Sequence, residues 1–386
     1  MKNFVFQNTT KIIFGKDATD HLADEMKHWG NKVLLVYGGG TIKKTGLYDR
    51  VMRQLTGKTV YELAGVEPNP RLTSVHESIR ICREKKIDFI LAVGGGSVID
   101  CAKAISVGVP YEGEVWDFFK RKAYPTRSVP LGAILTLAAT GTEMNGNSVI
   151  TNMETKEKIG LAGVPAMHPV FSILDPVLTF TVPVNQIAYG CVDMLSHLYE
   201  DYFSLPDGTP VQDGLAEAIM RTIFDQVFVV ENKLDDYDAR ANLMWCGTMA
   251  LNTIIPVGKD GDWGCHEIEH VLSAHYDIAH GAGLAIVTPP YMKYLCQFHP
   301  SKYRQYGVNV FGIDPKGRTD YEVGLEAIEK TKALFKQMGA PVTLKEVGIG
   351  SEKLELMVDQ ILQDRTLGSY ARIGKPELLG ILKEAL

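Results

Sequence analysis

Apolar positions fall in short blocks through the first half of the chain. Val33-Leu34-Leu35-Val36-Tyr37 is an apolar, β-branched run that stops on Gly38-Gly39-Gly40. Phe89-Ile90-Leu91-Ala92-Val93 repeats the arrangement and stops on Gly94-Gly95-Gly96. Between them lie a helical pattern over 46–55, a strand pattern over 59–63, the loop Val66-Glu67-Pro68-Asn69-Pro70 and a helical pattern ending near Lys86. Strands that alternate with helices indicate βαβ units and a parallel sheet. Strands this continuously apolar predict burial on both faces. Further strands are predicted at 132–137, 147–151 and 171–174.

After Asp175-Pro176 the period changes. Helices are predicted over 184–203, 214–231, 239–254 and 321–338, with apolar residues at helical rather than alternating spacing. The expected organisation is therefore an α/β domain over 1–180 with a Rossmann-like parallel sheet, followed by an all-α domain over 181–386. A chain of 386 residues suits two domains. With 40 Lys plus Arg against 46 Asp plus Glu, the charge is −6, which lacks the basic footprint of a nucleic-acid binder. The first fifteen residues carry no apolar core of signal-peptide length. The longest mainly apolar stretch, 129–140, contains Pro130 and Gly132 and falls short of the roughly 18–20 residues that span a bilayer. Six scattered cysteines without a CxxC motif read as reduced and place the chain in the cytoplasm.

Two features carry chemistry. The first is the pair of strand-Gly-Gly-Gly turns. Glycine lets backbone N–H groups approach a phosphate without a Cβ in the way, and a following helix N-terminus adds free donors and partial positive charge. In Gly94-Gly95-Gly96-Ser97 a serine stands at an expected N-cap, with Asp100 and Lys103 in the first helical turns. Neither turn completes GxGxxG, because Lys43 and Ile99 stand where the third glycine belongs.

The second feature is a cluster of metal-ligand types. Asp193 and His197 are spaced i, i+4, which places both on one helix face. His266 and His270 form a second such pair, and His275 and His280 follow. His266 and His280 would lie about 21 Å apart in a continuous helix, so a shared ion requires a turn, for which Tyr276-Asp277-Ile278 is the expected place. Mixed imidazole and carboxylate ligation suits Zn²⁺ or Fe²⁺. Spacing does not choose among the four clustered histidines. His266-Glu267-Ile268-Glu269-His270 also matches HExxH by letter, but a zincin reading leaves the glycine turns, Asp193 and His197 without a role.

In this order and spacing, the chain resembles the iron-containing (group III) alcohol dehydrogenases, in particular the butanol dehydrogenase and broad-range aldehyde reductase branch. The carrying motifs are TTKIIFG near the start, YGGGTIKKTG, VEPNP, VGGGSVIDCAKAI, TLAATGTEMN, D-x₃-H at 193–197 and HEIEHVLSAHYDIAHG. The resemblance implies a dehydroquinate synthase-like architecture and metal-dependent hydride transfer between NAD(P)H and an aldehyde. It implies Asp193, His197, His266 and His280 as ligands of one Fe²⁺ or Zn²⁺. His270 becomes the proton relay, and His275 matches no ligand. Gly95, Gly96 and Ser97 are expected at the pyrophosphate, with Asp100 beside the nicotinamide ribose. Gly38, Gly39, Gly40 and Thr41 are expected at the adenosine ribose, and Thr136, Thr140, Asn145 and Lys158 are further cofactor contacts. NAD-preferring relatives often place aspartate at the position of Gly39. Its absence, with Lys43 and Lys44 nearby, favours NADP(H) over NAD(H). Relatives often have proline where Ala279 precedes the last ligand. The resemblance also implies a homodimer, formed through the N-terminal strand 11–14.

Two other classes of protein fit the sequence less well. The fold family includes dehydroquinate synthases, lyases that use a metal and NAD⁺. Their carboxylated, phosphorylated substrate needs a site rich in Lys and Arg, and few basic residues lie in 180–290. A non-catalytic nucleotide-binding protein would have no use for all four ligand types.

Overall fold

The computed structural model describes residues 1–386. Eight strands form: β1 (Lys11–Phe14), β2 (Lys32–Tyr37), β3 (Thr59–Leu63), β4 (Phe89–Gly94), β5 (Leu131–Leu135), β6 (Ser148–Asn152), β7 (Glu157–Leu161) and β8 (Phe171–Leu174). Helices α1 (Leu22–Met26), α2 (Thr41–Lys44), α3 (Leu47–Gln54), α4 (Leu72–Lys85), α5 (Gly96–Gly108) and α6 (Trp116–Phe119) belong to the first half. The rest are α7 (Val184–Tyr202), α8 (Pro210–Asn232), α9 (Tyr237–Ala250), α10 (Gly264–Tyr276), α11 (His280–Cys296), α12 (Pro300–Phe311), α13 (Asp320–Gln337), α14 (Leu354–Leu362) and α15 (Lys375–Glu384).

Six strands make one sheet in the order β1-β8-β5-β4-β2-β3, and every neighbouring pair is parallel. Its central strands are buried along their length, as their uninterrupted apolar runs require. Residues on one face of β2 and β4 (Leu34, Val36, Ile90, Ala92) pack under α4 and α5, and those on the other (Val33, Leu35, Phe89, Leu91) pack with α1 and α3.

Three local expectations change. The strand predicted at 147–151 does not join the sheet; β6 pairs antiparallel with β7 in a separate hairpin. The reason is the link, which is too short for the dozen or more residues a parallel crossover needs. Asn152 Oδ1 tightens it by accepting from the Glu154 N–H at 3.0 Å. A short helix that the pattern does not predict, α2, forms ahead of the helix predicted over 46–55, which is α3; Gly40 (φ 101°) and Gly46 (φ 77°) hold left-handed conformations ahead of each. Ser97 lies inside α5, whose N-cap is Gly95.

The chain forms two compact units. One contains 7–182 and 234–252, the other 1–6, 183–233 and 253–386. The expected single cut at 180/181 thus differs at two segments. Helix α9 packs into the unit that holds the sheet, where the buried Glu143 carboxylate accepts from Thr248 Oγ1 at 2.5 Å and Asn145 Nδ2 donates to the Leu251 carbonyl at 3.0 Å. The first six residues belong with the helices, where the Lys2 N–H reaches the Gly258 carbonyl at 2.9 Å. No helix is long and apolar enough to cross a membrane.

Candidate metal centre and nucleotide loops

Helix α7 carries Asp193 and His197 on adjacent turns, and almost every residue from Ile187 onward is buried. Helix α10 supplies His266 and His270. It ends where the sequence places a turn: Asp277 adopts φ 51°, ψ 34°, and α11 begins at His280. Ala279, the N-cap of α11, has φ −62°, the value proline would impose, so its identity costs the turn nothing in shape.

The turn brings three imidazoles to one carboxylate. Asp193 Oδ1 lies 3.5 Å from His197 Nε2, 3.7 Å from His266 Nε2 and 3.5 Å from His280 Nε2. The ligand atoms of Asp193, His266 and His280 lie within 4.8 Å of one another. Asp193 Oδ1 and His266 Nε2 are buried and make no hydrogen bond. Two buried polar atoms left so cost several kcal/mol, roughly, and a cation among them would satisfy both. The donors are three imidazole nitrogens and one carboxylate oxygen, a set that suits Fe²⁺ or Zn²⁺. The residues present therefore fit the metal.

Two carboxylates that sequence reasoning missed fix the rings. Glu200 Oε2 pairs with His266 Nδ1, and Glu200 Oε1 accepts the His266 backbone N–H at 3.1 Å. Glu269 Oε2 pairs with His280 Nδ1, and its other oxygen accepts from Ser273 Oγ. Each carboxylate grips Nδ1 and turns Nε2 toward Asp193, so the tautomer is set for ligation. The signal was present: Glu200 stands one turn beyond His197, and Glu269 one turn beyond His266. Burial raises the Glu200 carboxyl, against the pull of His266. Burial lowers His197 to about 3, which leaves a neutral imidazole as ligation requires. Glu200→Gln is expected to weaken metal affinity about 10- to 100-fold without unfolding the chain, measured by competition with a chelator.

His270 faces the same cluster. Its ring centroid is 5.8 Å from that of His280 and 6.2 Å from that of His266. His275 points away, with Nε2 at 2.7 Å from Gln360 Oε1, in keeping with a non-ligating role. Trp263 sets an aromatic wall against His266 (5.3 Å between centroids) and His197 (6.2 Å).

In the sheet, the chain steps from β2 outward to β3, then returns across β2 to β4. The β2–β4 junction is therefore the topological switch point, where open α/β sheets bind ligands at the carboxyl ends of their strands. Both glycine triplets stand there. A Cβ on Gly96 would lie 2.6 Å from Thr140 Oγ1, so glycine is required for that loop to seat beside Thr140. A Cβ on Gly39 or Gly40 would meet nothing within 4 Å, which leaves open space above that turn. Thr41 opens α2 and is exposed, while Thr136 is half-buried and ties to β4 through its N–H and the Gly94 carbonyl, 3.0 Å. These features fit a bound dinucleotide.

The remaining expected contacts are more deeply set. Asp100 is buried; its carboxylate accepts from Thr142 Oγ1 at 2.6 Å and from the Val149 N–H at 2.8 Å. Lys158 lies on β7 opposite Thr151. Asn145 departs from expectation. Its Oδ1 accepts from Lys103 Nζ (3.0 Å) and the Asn147 N–H (2.9 Å), and its Nδ2 donates to the Gly141 and Leu251 carbonyls (3.0 Å each). That fills the amide's capacity and makes Asn145 a brace under the loop. Lys103, fully buried and lowered to about 7 by burial, is the centre of this brace.

Fold and site together define a metal-dependent, nucleotide-using enzyme of the two-unit type. Residues 9–176 match the family model described as iron-containing alcohol dehydrogenase, and residues 187–386 match that of the C-terminal region of the same family. The chain belongs to the iron-containing alcohol dehydrogenase family. It is 49% identical to NADH-dependent butanol dehydrogenase A of Clostridium acetobutylicum, with 100% of both chains covered. It is 36% identical to an NADPH-dependent aldehyde reductase of Escherichia coli, over 94% of this chain and 93% of that one. The crystal structure of an NADH-dependent butanol dehydrogenase A from Thermotoga maritima superposes with a TM-score of 0.95 at 44% identity, covering 100% of this chain and 99% of that one. The chain is thus an oxidoreductase acting on CH–OH groups with NAD(P)H.

Proposed function

We propose that the protein reduces short- to medium-chain aldehydes such as butanal, reversibly, with a nicotinamide cofactor and one divalent metal. The observation that carries this reading is the convergence of three Nε2 atoms on Asp193 Oδ1 with two buried atoms left unsatisfied. Asp193, His197, His266 and His280 hold the ion, which supplies Lewis acidity to a substrate oxygen. The cofactor is held by Gly38–Thr41 at the adenosine end and by Gly95, Gly96 and Ser97 at the pyrophosphate, with Asp100, Thr136, Thr140 and Lys158 completing its bed. Half-buried His270 delivers the proton to the product oxygen from the solvent side. Trp263 restricts the space beside the ligands.

The cofactor is NADH rather than the NADPH that Lys43 and Lys44 suggest. The relatives at 49% and 44% identity are named for NADH, and Lys43 already stands 3.7 Å from Glu62. We further propose a cytoplasmic homodimer in which β1, the terminal strand of the sheet, pairs with its counterpart in a second copy.

Metal analysis of the purified protein, alongside oxidation of NADH and NADPH with butanal, tests the reading. The expected result is one Fe²⁺ or Zn²⁺ per chain and butanal-dependent NADH oxidation. A metal-loaded protein that oxidises neither cofactor with any of a panel of aldehydes overturns it. Phosphate release from the dehydroquinate synthase substrate would assign the lyase reaction instead.

A further inference from the structure

Four donors converge on the buried carboxylate of Asp262. Oδ1 accepts from Tyr291 Oη at 2.6 Å and from the Gly264 N–H at 3.3 Å. Oδ2 accepts from the Ser369 N–H at 2.8 Å and the Tyr370 N–H at 2.7 Å. A carboxylate offers about four acceptor sites, so this one is used in full. The Asp262 N–H in turn donates to the Glu200 carbonyl at 2.8 Å. These bonds join α7, the first residue of α10, α11 and the segment 363–374 that links α14 to α15. Two glycines clear the space for them. A Cβ on Gly264 would lie 1.9 Å from Tyr291 Oη, and a Cβ on Gly368 would lie 2.9 Å from the same atom and 3.2 Å from Asp262 Oδ2. The segment is tied to α10 a second time, where Arg365 pairs with Glu267.

His266 stands two residues beyond Gly264, in the turn that Asp262 holds. The N–H groups of a first helical turn have no partner within the helix. Here Asp262 takes that of Gly264, and Glu200 takes that of His266 at 3.1 Å. Glu200 is itself held at both ends, its carbonyl by the Asp262 N–H and its carboxylate at His266 Nδ1. Asp262, Glu200 and His266 thus close a triangle, and a displaced Asp262 moves His266 through the helix and through Glu200. We propose that Asp262 is a positioning residue of the metal centre, fastening the segment 363–374 to the first turn of α10 and so fixing where His266 Nε2 stands. This rests on the reading of Asp193, His197, His266 and His280 as the ligands. Ligand distances tolerate only about ±0.2 Å, so a small slip of that turn reaches the ion.

The test is the Zn²⁺ affinity of the full chain, measured by competition with a chelator well below the melting temperature. Asp262→Ala strands four donors; it is expected to weaken Zn²⁺ binding about tenfold and to lower kcat for butanal reduction. Asp262→Asn keeps one accepting oxygen and lets the amide donate to Tyr291 Oη, so its loss is expected to be smaller, about threefold. Leu382→Ala truncates a buried residue of α15 and lowers the melting temperature through a cavity. It is expected to leave Zn²⁺ affinity unchanged, which a merely structural role for Asp262 would not distinguish from its own variants. Asp262→Ala that folds and binds Zn²⁺ as tightly as the wild type overturns the proposal. So does a Leu382→Ala variant that weakens binding as much for the same fall in melting temperature. If the alanine variant does not fold, the asparagine variant decides, and an affinity equal to that of the wild type overturns the role. A wild type that binds no Zn²⁺ removes the ligand reading and the role of Asp262 with it, whereas a wild type that binds it, with unaffected variants, leaves the ligands standing and removes Asp262 alone.

Discussion

His266→Ala is expected to lose its metal and nearly all aldehyde reduction. His266 is the ligand with the deepest support. It stands buried in the first turn of α10, its Nδ1 and backbone N–H are both taken by Glu200, and its Nε2 faces Asp193 with no other partner. The alanine leaves Asp193, His197 and His280 in place, and three ligands hold an ion less tightly than four. Lewis-acid stabilisation is worth several kcal/mol, so its loss lowers kcat by about two to four orders of magnitude. The measurement is metal content after dialysis together with the single-turnover rate of butanal reduction. Retention of one metal per chain with full activity would sink the ligand assignment. Glu200 is left buried without its partner in this variant, so some loss of thermal stability accompanies the loss of metal. A melting curve separates the two, because an unfolded protein loses the transition while an empty one keeps it.

Much of this was legible in the sequence, for reasons that differ between regions. Strands β2 and β4 are readable because each is an apolar run closed by glycine, and burial on both faces leaves such runs unbroken. The turn at 277 was readable because two ligands on one metal require it. The β-branched residues of 147–151 (Asn-Ser-Val-Ile-Thr) suit a strand in any sheet, and only the length of the link that follows reveals that its partner is β7. Helix α9 was grouped with its sequence neighbours, although Thr248 and Leu251 carry it to Glu143 and Asn145. Periodicity gives each helix a face to bury but does not say against what. The same limit explains the supporting carboxylates. Glu200 and Glu269 read as ordinary helix glutamates until the fold places them behind His266 and His280. Lys43 reads as a free cation until Glu62 arrives beside it from the neighbouring strand.

Gly281→Ala, one added methyl, is expected to damage both stability and metal binding. Gly281 follows the ligand His280 at the start of α11, where that helix crosses α7. An added Cβ would lie 2.1 Å from the Tyr189 carbonyl oxygen, 2.6 Å from its carbon and 2.7 Å from Tyr189 Cα. All three are backbone atoms, so no rotamer change relieves the clash and the helices must separate. Tyr189 is one helical turn before Asp193, and Gly281 is next to His280, so the displacement falls between two ligands now 3.5 Å apart. Overpacking of this kind costs about 1–3 kcal/mol, and metal sites tolerate only about ±0.2 Å in ligand distance. The melting temperature is expected to fall, and metal affinity to drop about tenfold or more. Gly214→Ala makes the same chemical change with the opposite sign. Gly214 is an exposed residue of α8 with nothing within 4 Å of its would-be Cβ, so alanine there adds about 1 kcal/mol of helix stability and leaves the metal alone. If Gly281→Ala binds metal as tightly as the wild type, the close approach of α7 and α11 does not set the geometry of the centre, and the ligands are held by Glu200 and Glu269 instead.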